Sequence, residues 1–412
     1  MKRKSLRLLC LFLGACMLFS CSSCGLKVSA RELSQGYQRK TEKTGDLSED
    51  FRRSAADFSF ALFRGLANRN GNTLFSPLSA ALCLGMVANG AGGRTRTQME
   101  TAFSMDIDLL NRNLYALSSS FDREEENVIH TANSIWFRDD GSFHIKEEFL
   151  QTSADWYGAQ VYAAPFNQST VRDINAWCKK QTDGMIDKMI DDLDASSLMY
   201  LIDALTFDAA WEEEYEKEGV KDGTFHCYDG SSGKVKMLSS TERSYLKGEG
   251  ATGFVKNYKG ERYGFVGLLP DEGTDIYTFI DSLDGDKWTS LWDSREYLSV
   301  FVLMPEFSDS AEMKLNDVLQ ARGMTDMFSP EADFSGMGYS DGGNIYCSGV
   351  FQKTYIKVDR HGTKAAAITW AEMKCGSSFA EMPTVVLDRP FVYAIVDNAT
   401  GLPIFIGAIT EL

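Results

Sequence analysis

Four histidines are the first residues to test for chemistry: His130, His144, His226 and His361. None stands in an H-x-x-x-H or H-x-x-E-H pair, the spacings that set two imidazoles on one helix face around zinc. No G-x-S-x-G elbow accompanies them, so no strand-to-helix turn presents a nucleophilic serine beside a histidine base. The run GSSGK (230–234) lacks the spacing of a phosphate loop. GAGG (90–93) follows a helix rather than a strand, the wrong order for a dinucleotide site. The acidic neighbours Asp191 and Asp192 read as solvated surface. No metal, no cofactor and no enzymatic activity is expected.

The second place is HGTKAAAITWAEMKCGSSF (361–379). Every second residue from Thr363, namely Ala365, Ala367, Thr369, Ala371 and Met373, is uncharged, and most are small. The alternate set, Lys364, Ala366, Ile368, Trp370, Glu372 and Lys374, holds every charge between 363 and 374. A strand exposes its two faces with period two, so the segment can enter a sheet with its uncharged set on a crowded core. TKAAA is also good helix sequence, and a solvated loop with helical character accounts for the composition equally well. The segment is written for two states.

What surrounds it is globular. The 412 residues are 44% hydrophobic and 24% charged, enough for a sizeable core. A net charge of -16 excludes nucleic acid, whose phosphates need clustered Lys and Arg, and argues against a polyanion cofactor. The start, MKRKSLR followed by LLCLFLGACMLFS (8–20), reads as a signal peptide too short to span a bilayer. It ends in Cys16, Cys21 and Cys24. LFSC at Cys21 resembles a bacterial lipoprotein cleavage site, with Cys16 (LGAC) and Cys24 as alternatives and plain secretion still open. Either route places the protein outside the cytoplasm, with membrane contact only through a lipid. With Cys10 the leader holds four of the nine cysteines, and the five beyond it, Cys83, Cys178, Cys227, Cys347 and Cys375, are scattered and odd in number, which reads as free buried thiols rather than a disulfide framework.

Residues 1–21 therefore read as the leader, 22–46 as a flexible tether, and 47–412 as one α+β domain. Phe51, Ala55, Phe58, Leu62 and Leu66 stand at helical spacing. Ser76 and Pro77 open a second helix as cap and first turn, and 90–93 stop it. A third helical pattern covers 169–190, with Ile174, Trp177 and Cys178 on one face. Strand-like runs follow at 130–137, 198–207, 263–270, 298–307, 352–358 and 383–410. Helices dominate the first half and strands the second, with no linker or repeat between them.

GTKAAAIT resembles the hinge of the serpins, Gly-Thr-Glu-Ala-Ala-Ala-x-Thr, at that family's distance from the C-terminus. Further blocks resemble serpins in the same order: 72–99, INAWCKKQTDGMI, LIDALTFDAAWEEEY, FVLMPEF and LDRPFVYAIVDNATGLPIFIGAI. The resemblance implies helices packed around a large mixed sheet, with smaller sheets and an exposed reactive-centre loop. It also implies a monomeric suicide-substrate inhibitor of serine endopeptidases whose cut loop inserts into the main sheet. The hinge would be Gly362, Thr363, Ala365, Ala366, Ala367 and Thr369. The sheet-opening region would be Ser76, Ser79, Asp203, Trp211 and Gln352. Ser76 also reads as a simple helix cap and Trp211 as a core aromatic. Asp203 and Gln352 stand where the family has Asn and His, and Gln352 is expected to donate to Asp203. Arg360, His361 and Lys364 replace acidic residues of the family's hinge. Uncharged core-facing positions favour an inhibitor over a serpin-fold binding protein, while cross-class inhibition of cysteine proteases stays open.

Two counts place the cut differently. Gly376 lies fourteen residues on from Gly362, and fourteen residues at about 3.3 Å span roughly 46 Å of sheet. That count favours Gly376–Ser377 and an elastase-like or subtilisin-like protease. Counting back from Pro383 gives Phe379–Ala380 and a chymotrypsin-like one. Lys374 would serve a trypsin-like enzyme. Cys375 reads as an exposed thiol beside the cut or as an inert loop residue.

Overall fold

The computed structural model describes residues 30–39, 47–67, 71–121, 129–194, 197–248, 250–363 and 382–412. The leader cysteines Cys16, Cys21 and Cys24 lie outside them. So do Ala365, Ala366, Ala367, Thr369, Cys375, Gly376, Ser377, Phe379 and Ala380.

A short strand β1 (Arg31–Glu32) precedes helix α1 (Glu49–Leu66), which Ser48 caps by accepting from the Phe51 N–H. Strand β2 (Thr73–Phe75) leads into α2 (Pro77–Ala88), with Ser76 at the cap and Pro77 at its first position. Helices α3 (Gly93–Phe103) and α4 (Ile107–Phe121) complete this cluster. Then come β3 (Ile129–Arg138), β4 (Phe143–Ile145), α5 (Glu147–Tyr157), β5 (Gln160–Ala164) and α6 (Gln168–Gln181). The chain continues through β6 (Met199–Phe207), β7 (Ala209–Ala210), β8 (Val220–His226), β9 (Ser232–Glu242), β10 (Tyr245–Gly248), β11 (Ala251–Asn257) and β12 (Tyr263–Pro270). Two helices, α7 (Ile276–Ser282) and α8 (Gly285–Asp293), separate these from β13 (Val300–Pro305) and β14 (Phe307–Lys314). The last elements are α9 (Asn316–Ala321), β15 (Gly338–Ser340), β16 (Gly349–Val358), β17 (Gly362–Thr363), β18 (Thr384–Val386), β19 (Phe391–Asp397) and β20 (Pro403–Ile409).

One six-stranded sheet has the order β1-β5-β3-β6-β16-β14, and a second runs β10-β11-β12-β19-β20-β2. A four-stranded sheet, β18-β13-β9-β8, completes the larger layers. The centre of the first sheet is buried on both faces, which is why β6 reads as nine consecutive buried residues rather than an alternation. Its odd-numbered side chains, among them Leu201, Leu205 and Phe207, join the main core with α2 and the second sheet. Its even-numbered ones, Tyr200, Ile202 and Ala204, face α6 and meet Ile174, Trp177 and Cys178.

Two sequence expectations need correction. Residues 30–39 are not tether: Arg31 and Glu32 pair antiparallel with Ala163 and Tyr162, and the Leu33 N–H donates to Val161 O at 2.7 Å. β5 would otherwise be a bare sheet edge with unpaired amides, and this segment covers it. The third helix stops at Gln181 rather than running to 190. Asp183 (φ 48°) and Gly184 (φ 81°) adopt left-handed backbone there, and the following residues cross the sheet as irregular chain packed by Ile186, Met189 and Ile190.

Candidate functional site: the hinge and the seam of the main sheet

Strands β6 and β16 are direct neighbours and run parallel, from Gly349↔Tyr200 to Thr354↔Leu205. Every other strand of this sheet beside them is antiparallel except β3·β5, so the β6·β16 seam is a place where one more antiparallel strand would fit on both sides. At one level of the seam three polar side chains stand in register: Asn133 on β3, Asp203 on β6 and Gln352 on β16. All three are buried. Gln352 Nε2 donates to Asp203 Oδ2 at 3.0 Å and to Ser76 O at 2.9 Å, while its Oε1 accepts from Ser76 N at 2.8 Å. The Ser79 hydroxyl donates to Asp203 Oδ1. Ser76 Oγ donates to Ile404 O at 2.8 Å and accepts from Ser79 N, so it is both cap and tie to the second sheet.

The cluster is a carboxylate closed off from water. Burial pushes Asp203 up to about 6, and the hydrogen bonds from Ser79 and Gln352 oppose that rise without cancelling it. Neighbouring thiols are also buried: Cys83 is raised well above its usual value and Cys347 to about 12, both chiefly by desolvation.

The hinge begins beyond β16. Gly362 and Thr363 pair antiparallel with Ala210 and Ala209, the residues that prolong β6. Trp211 holds this junction with two donors, its N–H to His361 O at 3.0 Å and its Nε1 to Asp359 O at 2.8 Å. Tyr215 N donates to Arg360 O at 2.9 Å, and His361 Nδ1 lies 2.6 Å from Glu214 Oε2. Trp211 stacks on Tyr258 with ring centroids 4.4 Å apart. The Tyr258 hydroxyl meets Thr363 Oγ1 at 2.8 Å. Beneath them Lys256, 3% exposed, pairs with Glu242 at 2.9 Å and lies over the Tyr215 ring at 4.4 Å. Sequence reading picked out Trp211 but not Tyr258, Tyr215 or Lys256. The run AWEEEYEKE, so dense in acid, hid the buried Tyr215 among mostly exposed glutamates.

Gly362 is required at its position. Its φ is +152°, and an added Cβ would sit 2.2 Å from Ala209 O and 2.6 Å from Ala210 Cα. Gly362→Val should lift the hinge from β7, lowering stability by about 1–3 kcal/mol in urea unfolding and exposing 360–364 to limited proteolysis.

The other chemical candidates do not assemble. His144 lies 3.3 Å from Asp341 and stacks on Tyr339, and His226 is exposed beside Ser232. Among the described residues, no three His, Cys, Asp or Glu converge in a metal-holding group. Cys83, Cys178, Cys227 and Cys347 are free.

A hinge docked in line with a closed parallel seam, within sheets of this order, defines the serpin architecture. The family profile described as Serpin (serine protease inhibitor) matches residues 53–412, and the chain belongs to that family. Most members of that family inhibit serine proteases rather than catalyse a reaction. An uncharacterised serpin-like protein of Thermococcus kodakarensis is 29% identical over 85% of this chain and 83% of its own length. Leukocyte elastase inhibitor of Sus scrofa is 28% identical over 87% of this chain and 99% of its own. The thermophilic serpin tengpin in its native state superposes with a TM-score of 0.89 at 41% identity, covering 93% of this chain and all of that one. Tengpin in its latent state, at 42% identity over 90% of this chain, scores 0.79. Human thyroxine-binding globulin, 22% identical with a TM-score of 0.79, shares the fold.

Proposed function

We propose that this chain is a suicide-substrate inhibitor of serine endopeptidases, acting as a monomer outside the cytoplasm and either lipid-anchored through Cys21 or secreted. The observation that carries the reading is the register of the hinge. Because Gly362 faces Ala210 and Thr363 faces Ala209 antiparallel, each further loop residue moves one position back along β6. In an inserted product Ala365 would meet Phe207, Ala367 Leu205, Thr369 Asp203, Ala371 Leu201 and Met373 Met199. Paired residues share a face, so the uncharged set lands on the main core and the charged set on the α6 side.

The protease serine attacks the loop carbonyl, expels the amine of the downstream peptide and leaves an acyl-enzyme ester. The freed strand enters the seam before water reaches that ester, exchanging one parallel pairing for two antiparallel ones. A cut at Gly376–Ser377 leaves enough chain to run past Met199 and favours an elastase-like or subtilisin-like partner. The pig relative's name, an inhibitor of leukocyte elastase, agrees with that choice.

Mixing the protein with elastase, subtilisin, chymotrypsin and trypsin should yield an SDS-stable covalent complex with one of the first two. The mass of the released C-terminal peptide distinguishes Gly376–Ser377 from Phe379–Ala380. Clean loop cleavage with no complex and no gain in thermal stability would overturn the reading in favour of a binding protein.

A further inference from the structure

We propose that Asp203 is a proton-operated latch on the seam, holding β6 to β16 when neutral and easing their separation when ionised. This rests on the loop-insertion reading above, and it goes beyond that reading by making the opening step depend on the protonation of one side chain. The first support is position. The Gln352–Asp203 hydrogen bond runs directly across the strands that must part, at the level where Asn133 continues the ladder.

The second support is enclosure. Asp203 is 1% exposed, and among the described residues its two oxygens are met only by the Ser79 hydroxyl of α2 and the Gln352 amide of β16. Two neutral donors leave the ionised group poorly compensated, since among the described residues nothing cationic faces it from these elements. From α2 the facing groups are Ser76, Ser79 and the thiol of Cys83. From β3 there is Asn133, whose Oδ1 has no hydrogen-bond partner. From the segment just before β16 there is Cys347, and across the sheet on α6 there is Cys178, also pushed up to about 12 by burial. Lys353 is on the opposite face, donating to Lys188 O and pairing with Glu312. The three thiols stay neutral through the mildly acidic range, so Asp203 alone of this group titrates there.

The sign follows from linkage. Closed, the carboxyl titrates at about 6; opened to water, it returns to the ordinary aspartate range near 3.9. The closed seam therefore binds the proton more tightly. Its extra hold is complete below the ordinary aspartate value and is lost as pH rises through about 6. Ser79 can serve either state, because its hydroxyl can turn to accept from the protonated acid. Between pH 5 and pH 7 the opening equilibrium should move about tenfold toward the open seam.

The test measures opening without any protease. A fluorescent, N-acetylated synthetic peptide with the sequence of 365–374, carrying Glu372→Gln so that no group of the probe titrates in the range, is added to the full-length protein. Its entry rate is followed from pH 5 to pH 7. The wild type should take it up about tenfold faster at pH 7, and Asp203→Asn should be flat within twofold. Gln352→Ala should raise the rate at every pH while keeping the slope, which a purely structural role for Asp203 would not require. A slope that survives in Asp203→Asn, or a flat wild type, overturns the latch and leaves insertion standing. A peptide that enters none of the three proteins at any pH overturns insertion and the latch together.

Discussion

Thr363→Arg should convert the protein from a trap into a substrate. Thr363 is 1% exposed, pairs with Ala209 and shares a hydrogen bond with Tyr258. A guanidinium there has either to stay in water, holding the first residue of the entering strand off the sheet, or to be buried without a counter-charge. The second choice costs several kcal/mol. Insertion races hydrolysis of the acyl-enzyme, and each 1.4 kcal/mol added to its barrier is tenfold in that race. The expected result is a fall of at least tenfold in the fraction of protease recovered as covalent complex, with loop cleavage undiminished. Lys364→Glu, in the outward-facing set, should leave the fraction nearly unchanged. Equal loss in both variants would mean that the alternation of faces does not govern insertion.

Trp211→Ala should be the most destabilising single change at the junction. The ring is 2% exposed, stacks on Tyr258, meets Tyr215 and Phe265 edge-on, and donates to Asp359 O. Truncating a buried aromatic of this size costs about 3–5 kcal/mol. Here it also leaves the Asp359 carbonyl without its donor. Urea unfolding should show that loss, accompanied by faster proteolysis at 360–363 as the hinge comes free. A loss below about 1 kcal/mol would show that the hinge is held by its ladder with Ala209 and Ala210 alone.

Much of this is legible in the chain itself. The cap and first turn of α2, the apolar stripe of α1 and the long apolar runs of β6, β12, β19 and β20 are local patterns, so they survive folding unchanged. β14 was not legible, because FSDSAEMK alternates around an exposed sheet edge and carries only one large core residue, Phe307. β1 was missed for a similar reason: its contribution is backbone hydrogen bonding to β5, which leaves no mark in residue type. The length of α6 was overestimated because Met185, Ile186, Met189 and Ile190 keep helical spacing after the helix has ended. At the site, the matched positions of Ser76, Ser79, Asp203 and Gln352 were visible in the chain, and their convergence followed from the implied fold. The protonation behaviour of Asp203 was not visible, since it depends on how completely α2 and β16 exclude water from one carboxyl. Tyr258 and Lys256 were hidden too, because they reach the hinge from the second sheet.

The thiols around the seam give the molecule a chemical history. Cys83 lies beneath it, Cys178 above it and Cys347 just before β16, and all three are buried while the strands are joined. An oxidant or alkylating agent reaches them only when the packing around them opens, and parting of the sheet is one such opening. Wear on these sulfurs therefore accumulates with time spent ajar rather than with exposure to the reagent alone. A batch kept under conditions that keep the strands shut should age slowly, and its sulfur oxidation state would serve as a log of every opening that ended without a catch.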